Sequence, residues 1–396
     1  MKRTNRLTEG NILHTLIRFA VPVFFTLFLQ ALYGGVDLLV VGQFAATADV
    51  SGVATGSMLM STVTMVITGL SMGITILVGE RIGRGEPDEA GRAIGGGICL
   101  FAAFGVLLTV VLLAGAEPLA RLLHAPEEAF AETVEYIRIC GGGSLFIVAY
   151  NVLGAVFRGI GDARTPLFTV MLACVINIGG DLLLVEGFHL GAAGAALATV
   201  IGQFFSFLLA VRYAFRFQHI NLRREHLRLS LSESLQTASL GMSSSLNQVA
   251  ITFVQIVINN SLTHYGASSI YGTDIPLAAC GIVMKTNAIL LAVVIGISQG
   301  SQPIIGFNYG AKQYDRVRGI YRLAIGCNLV VSLVGFLLFQ FCPRQIISIF
   351  GSGNALYFEF AVRFMRIFLF MVLVNGVQML SSNFFSAIGK PVKGLV

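Results

Sequence analysis

Apolar residues gather along this chain in ten runs, at 15–41, 52–78, 92–115, 133–157, 165–187, 191–215, 235–262, 277–306, 320–341 and 360–388. About 20 apolar residues suffice to cross a bilayer as helix, and each run meets that length. Lipid offers no partner to open backbone groups, so every run is expected to be α-helical. The pattern therefore predicts an all-α, polytopic membrane fold.

The runs also repeat. GLSMGITILVGERIGRGEPDEAGRAI (69–94) aligns without gaps on GISQGSQPIIGFNYGAKQYDRVRGIY (296–321), an offset of 227 residues. Gly69, Ser71, Gly73, Gly79, Gly83 and Asp88 recur as Gly296, Ser298, Gly300, Gly306, Gly310 and Asp315. FRGIGDARTP (157–166) matches FSAIGKPVKG (385–394) at an offset of 228. Two matches so far apart sharing almost one offset point to a duplication of six-helix units. An even helix number gives both copies the same orientation, related by an axis along the membrane normal, with a cavity between them. The predicted organisation is an N-terminal six-helix lobe over 1–218, a cytoplasmic linker over 219–234, and a C-terminal lobe over 235–396 holding four helices of six. The offset implies that about 50 further residues, enough for two spans, would complete the second copy.

Composition supports the membrane reading: 55% of residues are hydrophobic and 12% charged, against roughly 25% charged in soluble domains. The mean hydropathy of +0.81 leaves too much apolar surface for one soluble core. No cleavable signal pattern opens the chain, so the N-terminus is expected to be retained. The net charge of +6 is topological rather than a nucleic-acid signal, because Lys and Arg concentrate in alternate loops. Lys2, Arg3 and Arg6 precede the first run; Arg81, Arg84 and Arg92 follow the second; Arg158 and Arg164 follow the fourth. Arg212 to Arg228 follow the sixth, and Lys312, Arg316 and Arg318 the eighth; Arg121 and Arg344 are the exceptions. Both ends are thus expected in the cytoplasm, and HINLRREHLRLSLSES (219–234) reads as an amphipathic surface helix. The six cysteines form no CxxC or metal-ligand pattern and read as small hydrophobes within the spans.

Charge inside a membrane segment is expensive and calls for a function. Asp37, Asp181 and Lys285 are the candidates. Gln30, Tyr33, Gly34 and Asp37 share one helix face, and Asn177 lies one turn before Asp181. Both acids sit near the outer ends of outward-running helices, at a depth that Thr199 and Gln203 also reach. Two carboxylates in one desolvated pocket cannot easily both stay ionised, so the pair can take up H⁺, or hold Na⁺ with the neighbouring Asn and Thr oxygens. Lys285 has a stem long enough to snorkel outward. Asn151, Gln248 and Asn259 are polar positions that could line a substrate path, and the second unit buries no deep carboxylate. Some of the 30 Phe could line an adaptable cavity for flat organic cations.

These motifs together resemble the multidrug and toxic compound extrusion (MATE) family over essentially the whole chain. The resemblance rests on the pattern from Pro22 to Asp37, GERIGRGEPDEAGRA, FRGIGDARTP, INIGGD with GAAGAALATV, and QGSQPIIGFNYGAK. It implies two six-helix lobes, alternating access, and export of small organic cations or amphiphiles driven by H⁺ or Na⁺ entry, with no cofactor. Of the family's ion-coupling positions it implies Asp37, Asn177, Asp181 and Thr199, in a multi-pass protein of the cell membrane. Neither nucleic acid nor an obligate protein partner is implied; the partners are the bilayer and the transported molecule. A flippase of lipid-linked or polysaccharide precursors is the alternative, and a groove rich in Arg or Lys would favour it. An enzyme is not indicated, since HExxH, Walker and Ser/Lys patterns do not occur.

Overall fold

The computed structural model describes residues 5–215, 223–228, 230–272, 274–350 and 355–395. Every regular element among them is helical. Eight single helices are long and apolar enough to span a membrane: Ile12–Phe44, Thr47–Gly83, Pro87–Ala114, Arg164–Gly187, Gly191–Ala214, Leu231–Ala267, Asp274–Gly310 and Tyr314–Phe341. Two bent pairs bring the number to ten: Glu127–Gly142 with Ser144–Gly159, bent by 52°, and Ala355–Phe368 with Val372–Ala387, bent by 41°. We number these spans one to ten in chain order.

The bends replace the straight fourth and tenth helices that the apolar runs suggest. The fourth breaks at Gly143, where a side chain would collide with Val200, at the end of a Gly141–Gly143 run of poor helix formers. In the tenth, Phe370 and Val372 bond to carbonyls only three residues back, and this tighter winding makes the turn. The two bent spans are equivalents in the duplication.

Two short helices, Ala116–Leu122 and Pro343–Phe350, follow the third and ninth spans. They carry the two cations that depart from the basic-loop rule. Arg121 stands 5.9 Å from the centre of the Phe130 ring, and Arg344 5.5 Å from that of Phe358. Each faces a ring quadrupole in the span that follows, although the two arginines do not occupy positions related by the 227-residue offset.

Where a surface helix is expected over 219–234, the described residues form one 3₁₀ turn, Arg224–His226, and Leu231 already begins the seventh span. Residues 219–222 and 229 lie outside the described residues. His226 is buried against the third span, its Nε2 3.2 Å from Asp88, its ring filling the space left by Gly91 and its backbone carbonyl lying against Gly95. Among the described residues of this segment, His226 is thus held by the bundle, while Leu227 stays exposed.

The lobes meet through the repeated glycines. A side chain on Gly73 would strike the backbone of Thr237 and Gly241 in the seventh span, and one on its equivalent Gly300 would strike Ala20 in the first. Gly83 lies against the Phe307 carbonyl and Gly310 against the Glu80 carbonyl, so the second and eighth spans cross through a self-matching contact. Without large side chains between them, backbones approach closely, which is how helices pack when lipid supplies no hydrophobic drive. Polar ties reinforce the same end. Buried Arg81 pairs with Glu233 at 2.9 Å and donates to the Glu89 carbonyl at 2.7 Å. Arg316 donates to the carbonyls of Glu9 and Gly10, both at 2.9 Å, and Asn308 to that of Leu7 at 3.1 Å. These crossings and ties draw the two lobes together at the end bearing the basic loops.

Candidate functional site

The first, fifth and sixth spans build the candidate ion site. Small residues bring the last two together: a side chain on Gly180 would strike Ala198, and one on Gly202 the Ala173 carbonyl. This approach puts Asn177 beside Thr199, with Asn177 Nδ2 donating to Thr199 Oγ1 at 3.3 Å. Thr199 Oγ1 donates in turn to Asp37 Oδ2 over a long 3.4 Å. Asp181, one turn after Asn177 on the fifth span, completes the group as the neighbour of Asp37. Two carboxyls held so near each other away from water cannot easily both stay ionised.

Burial makes the arrangement costly. Asp37 is 4% exposed, Asn177 2% and Asp181 0%, and among the described residues no cation pairs with either acid. Asp37 Oδ1, both Asp181 oxygens and Asn177 Oδ1 are buried without a hydrogen-bond donor. An isolated buried carboxylate is strongly disfavoured, so this cluster has a chemical reason to take up positive charge. Its donors are all oxygens, which suits a proton or a hard monovalent cation. Directly after Asp181 the helix widens into a π turn over Leu182–Gly187, a local irregularity that often marks functional positions.

Tyr33 joins this site to a cavity. Its hydroxyl faces Gln203 and stands near both Asp37 and Tyr150. Tyr150 faces Gln30, and both line a cavity with Thr68, Asn151, Arg158 and Gln299. Asn151 is fixed there, donating to the Ile147 carbonyl at 2.8 Å and accepting from Thr68 Oγ1 at 3.0 Å. Gln299 comes from the eighth span, so the cavity touches both lobes.

The structure thus brings together Asp37, Asn177, Asp181 and Thr199 in one cluster and Gln30, Tyr33, Asn151 and Gln203 in or beside the adjoining cavity. Gln248 is half-buried and Asn259 exposed; Asn259 accepts from Cys280 Sγ at 3.8 Å, and neither lines that cavity. Lys285 is exposed. The cysteines divide, with Cys140, Cys174 and Cys280 buried and Cys99, Cys327 and Cys342 half-buried. Arg158 departs from expectation: instead of a loop cation, it is the last cavity-facing side chain of the fourth span. Asn151, Gly154 and Arg158 share a helix face at i, i+3 and i+7, a signal the sequence does contain.

Comparison with known proteins identifies the family and the fold. The MatE family profile matches residues 22–183 and 243–396. The chain is 24% identical over 355 residues to the probable multidrug resistance protein YoeA of Bacillus subtilis, covering 88% of this chain and 75% of that one. It is 22% identical over 387 residues to the multidrug export protein MepA of Staphylococcus aureus, covering 96% and 83%. Its fold matches the crystal structure of MATE in the bent conformation, with TM-score 0.90 and 20% identity over 99% of this chain and 86% of that one. It also matches the outward-facing conformation of a multidrug resistance MATE family transporter, with TM-score 0.89 and 21% identity over 98% and 86%.

Proposed function

This chain belongs to the MatE family, and on that premise we propose that it exports small organic molecules across the cell membrane by antiport against entering H⁺ or Na⁺. The observation that carries the reading is the buried Asp37–Asp181 pair set beside a polar cavity. Each monovalent cation taken up removes one negative charge from the pair and with it the cost of keeping that charge desolvated. Tyr33 and Gln203 stand between the acids and Tyr150, so a change of charge at the pair alters the hydrogen bonds offered to a molecule in the cavity. Binding at one site thereby biases the other, which is what antiport requires. With the basic loops in the cytoplasm, the end where the lobes are tied together faces inward, which supports reading this conformation as one that releases cargo outside. The flippase alternative calls for a strongly basic groove, whereas the lining of this cavity includes one cation, Arg158.

Efflux of a fluorescent amphiphile from vesicles under imposed H⁺ or Na⁺ gradients tests the reading. Transport should appear with one gradient and vanish when an ionophore collapses it; movement indifferent to both gradients would exclude antiport. Topology has its own test. Cysteines introduced at Arg223 and Asp274 should react with impermeant reagents from opposite sides of the membrane, and labelling from one side would overturn the inside–outside assignment.

A further inference from the structure

We propose that Arg158 is an anion-binding subsite in the cavity, holding a carboxylate of the transported molecule. The proposal rests on the export reading and narrows its substrate class to amphiphiles, zwitterions included, that carry a carboxylate rather than a positive charge alone.

The argument starts from cost. Arg158 is half-buried, one residue before the end of the fourth span, and a guanidinium turned into the bundle there is expected to meet an acid, backbone carbonyls or a water-filled space. Among the described residues Arg158 makes no ion pair, and its buried Nε has no acceptor. The titratable group beside it is the Tyr150 hydroxyl, a neutral donor and acceptor. Arg158 is also not a peripheral cation that happens to bend inward, because it lines the same cavity as Gln30, Asn151 and Gln299.

The surroundings favour a two-oxygen anion. Guanidinium presents its donors in a planar fork that matches a carboxylate edge to edge. Gly154, one turn earlier on the same face, leaves the flank of the Arg158 side chain open: even an added Cβ there would stand 3.6 Å from Nη1. Tyr150 and Gln30 supply further donors. The cavity is small and partly polar where Arg158, Tyr150 and Gln30 meet, which suits the head group of a larger molecule. The rest of the cargo would extend towards the interface with the eighth span, where Gln299 lies.

A matched pair of dyes provides the test: a rhodamine with a free carboxylate and its methyl ester, identical in ring system but differing at that group. Binding to purified protein is followed by fluorescence anisotropy, which needs no gradient and therefore stands apart from the export reading. The wild type should bind the free acid more tightly than the ester. Arg158→Gln should weaken the free acid about tenfold or more, as loss of a charge-assisted hydrogen bond does, and leave the ester within about twofold. Arg158→Lys keeps the charge without the fork and should restore part of the affinity. Equal weakening of both dyes by Arg158→Gln in folded protein, or no discrimination by the wild type, would overturn the proposal. So would free-acid affinity that depends on added anionic phospholipid, which would make the site a lipid headgroup site. Failure of export with retained discrimination in binding would sink the antiport reading and spare the subsite.

Discussion

Replacing Asp37 by Asn should abolish gradient-driven export while leaving the protein folded and inserted. Asn keeps the shape and the hydrogen bond with Thr199 but removes the charge that a coupling cation must meet. Losing 1.4 kcal/mol of coupling already means a tenfold change, so a fall of about tenfold or more in gradient-driven efflux is expected. Asp181→Asn should cost less if its carboxyl chiefly tunes its partner. The two groups are neighbours in one buried cluster and are expected to titrate as a pair, so the double variant should be scarcely worse than Asp37→Asn alone. Efflux of a fluorescent amphiphile from vesicles, normalised to protein in the membrane, measures all three. Near-normal transport by Asp37→Asn, or losses that simply multiply, would place the coupling site elsewhere.

A second large effect is expected at the crossing of the second and eighth spans. Gly83→Leu puts a side chain where the Phe307 carbonyl now sits, and Gly310→Leu does the same against Glu80. Backbone cannot yield as the tip of a flexible side chain can, so the spans must separate. Overpacking of this kind costs about 1–3 kcal/mol. Charged against this packed state alone, that shifts the balance roughly 5- to 150-fold towards the state open at the basic-loop end. Spin labels at Glu86 and Gln313, exposed positions related by the 227-residue offset, should report it as a longer and broader distance distribution. An unchanged distribution in well-folded Gly83→Leu would mean that the crossing does not govern closure. The self-matching contact also predicts that either substitution alone suffices.

Much of the candidate site is legible in the sequence. Asp37 and Asp181 occupy similar depths on helices running the same way, so their meeting follows once those helices pack. The Gly180 and Gly202 pattern foretells that packing, since small residues are what let membrane helices approach. Arg158 was harder to read, because a cation one residue before a helix end looks like a topology signal until its cavity-facing register is weighed. Ala116–Leu122 and Pro343–Phe350 are too short for any periodic signal, and Arg121 and Arg344 acquire meaning only beside Phe130 and Phe358.

The sequence by itself determined the number of spans, their order and the duplication. Bilayer thickness sets the length of each apolar run, and the cost of unpaired backbone in lipid sets its helical form. What it left open is which face of each helix turns inward. Lipid is as apolar as a protein core, so hydrophobicity does not distinguish the two sides of a span as it would in water. Only the packed structure decided that Gly73 and Gly83 face the other lobe, that the fourth and tenth spans bend, and that Arg158 enters the cavity. Those outcomes depend on close approach between backbones distant in sequence, and no local pattern of apolar and polar residues encodes such an approach.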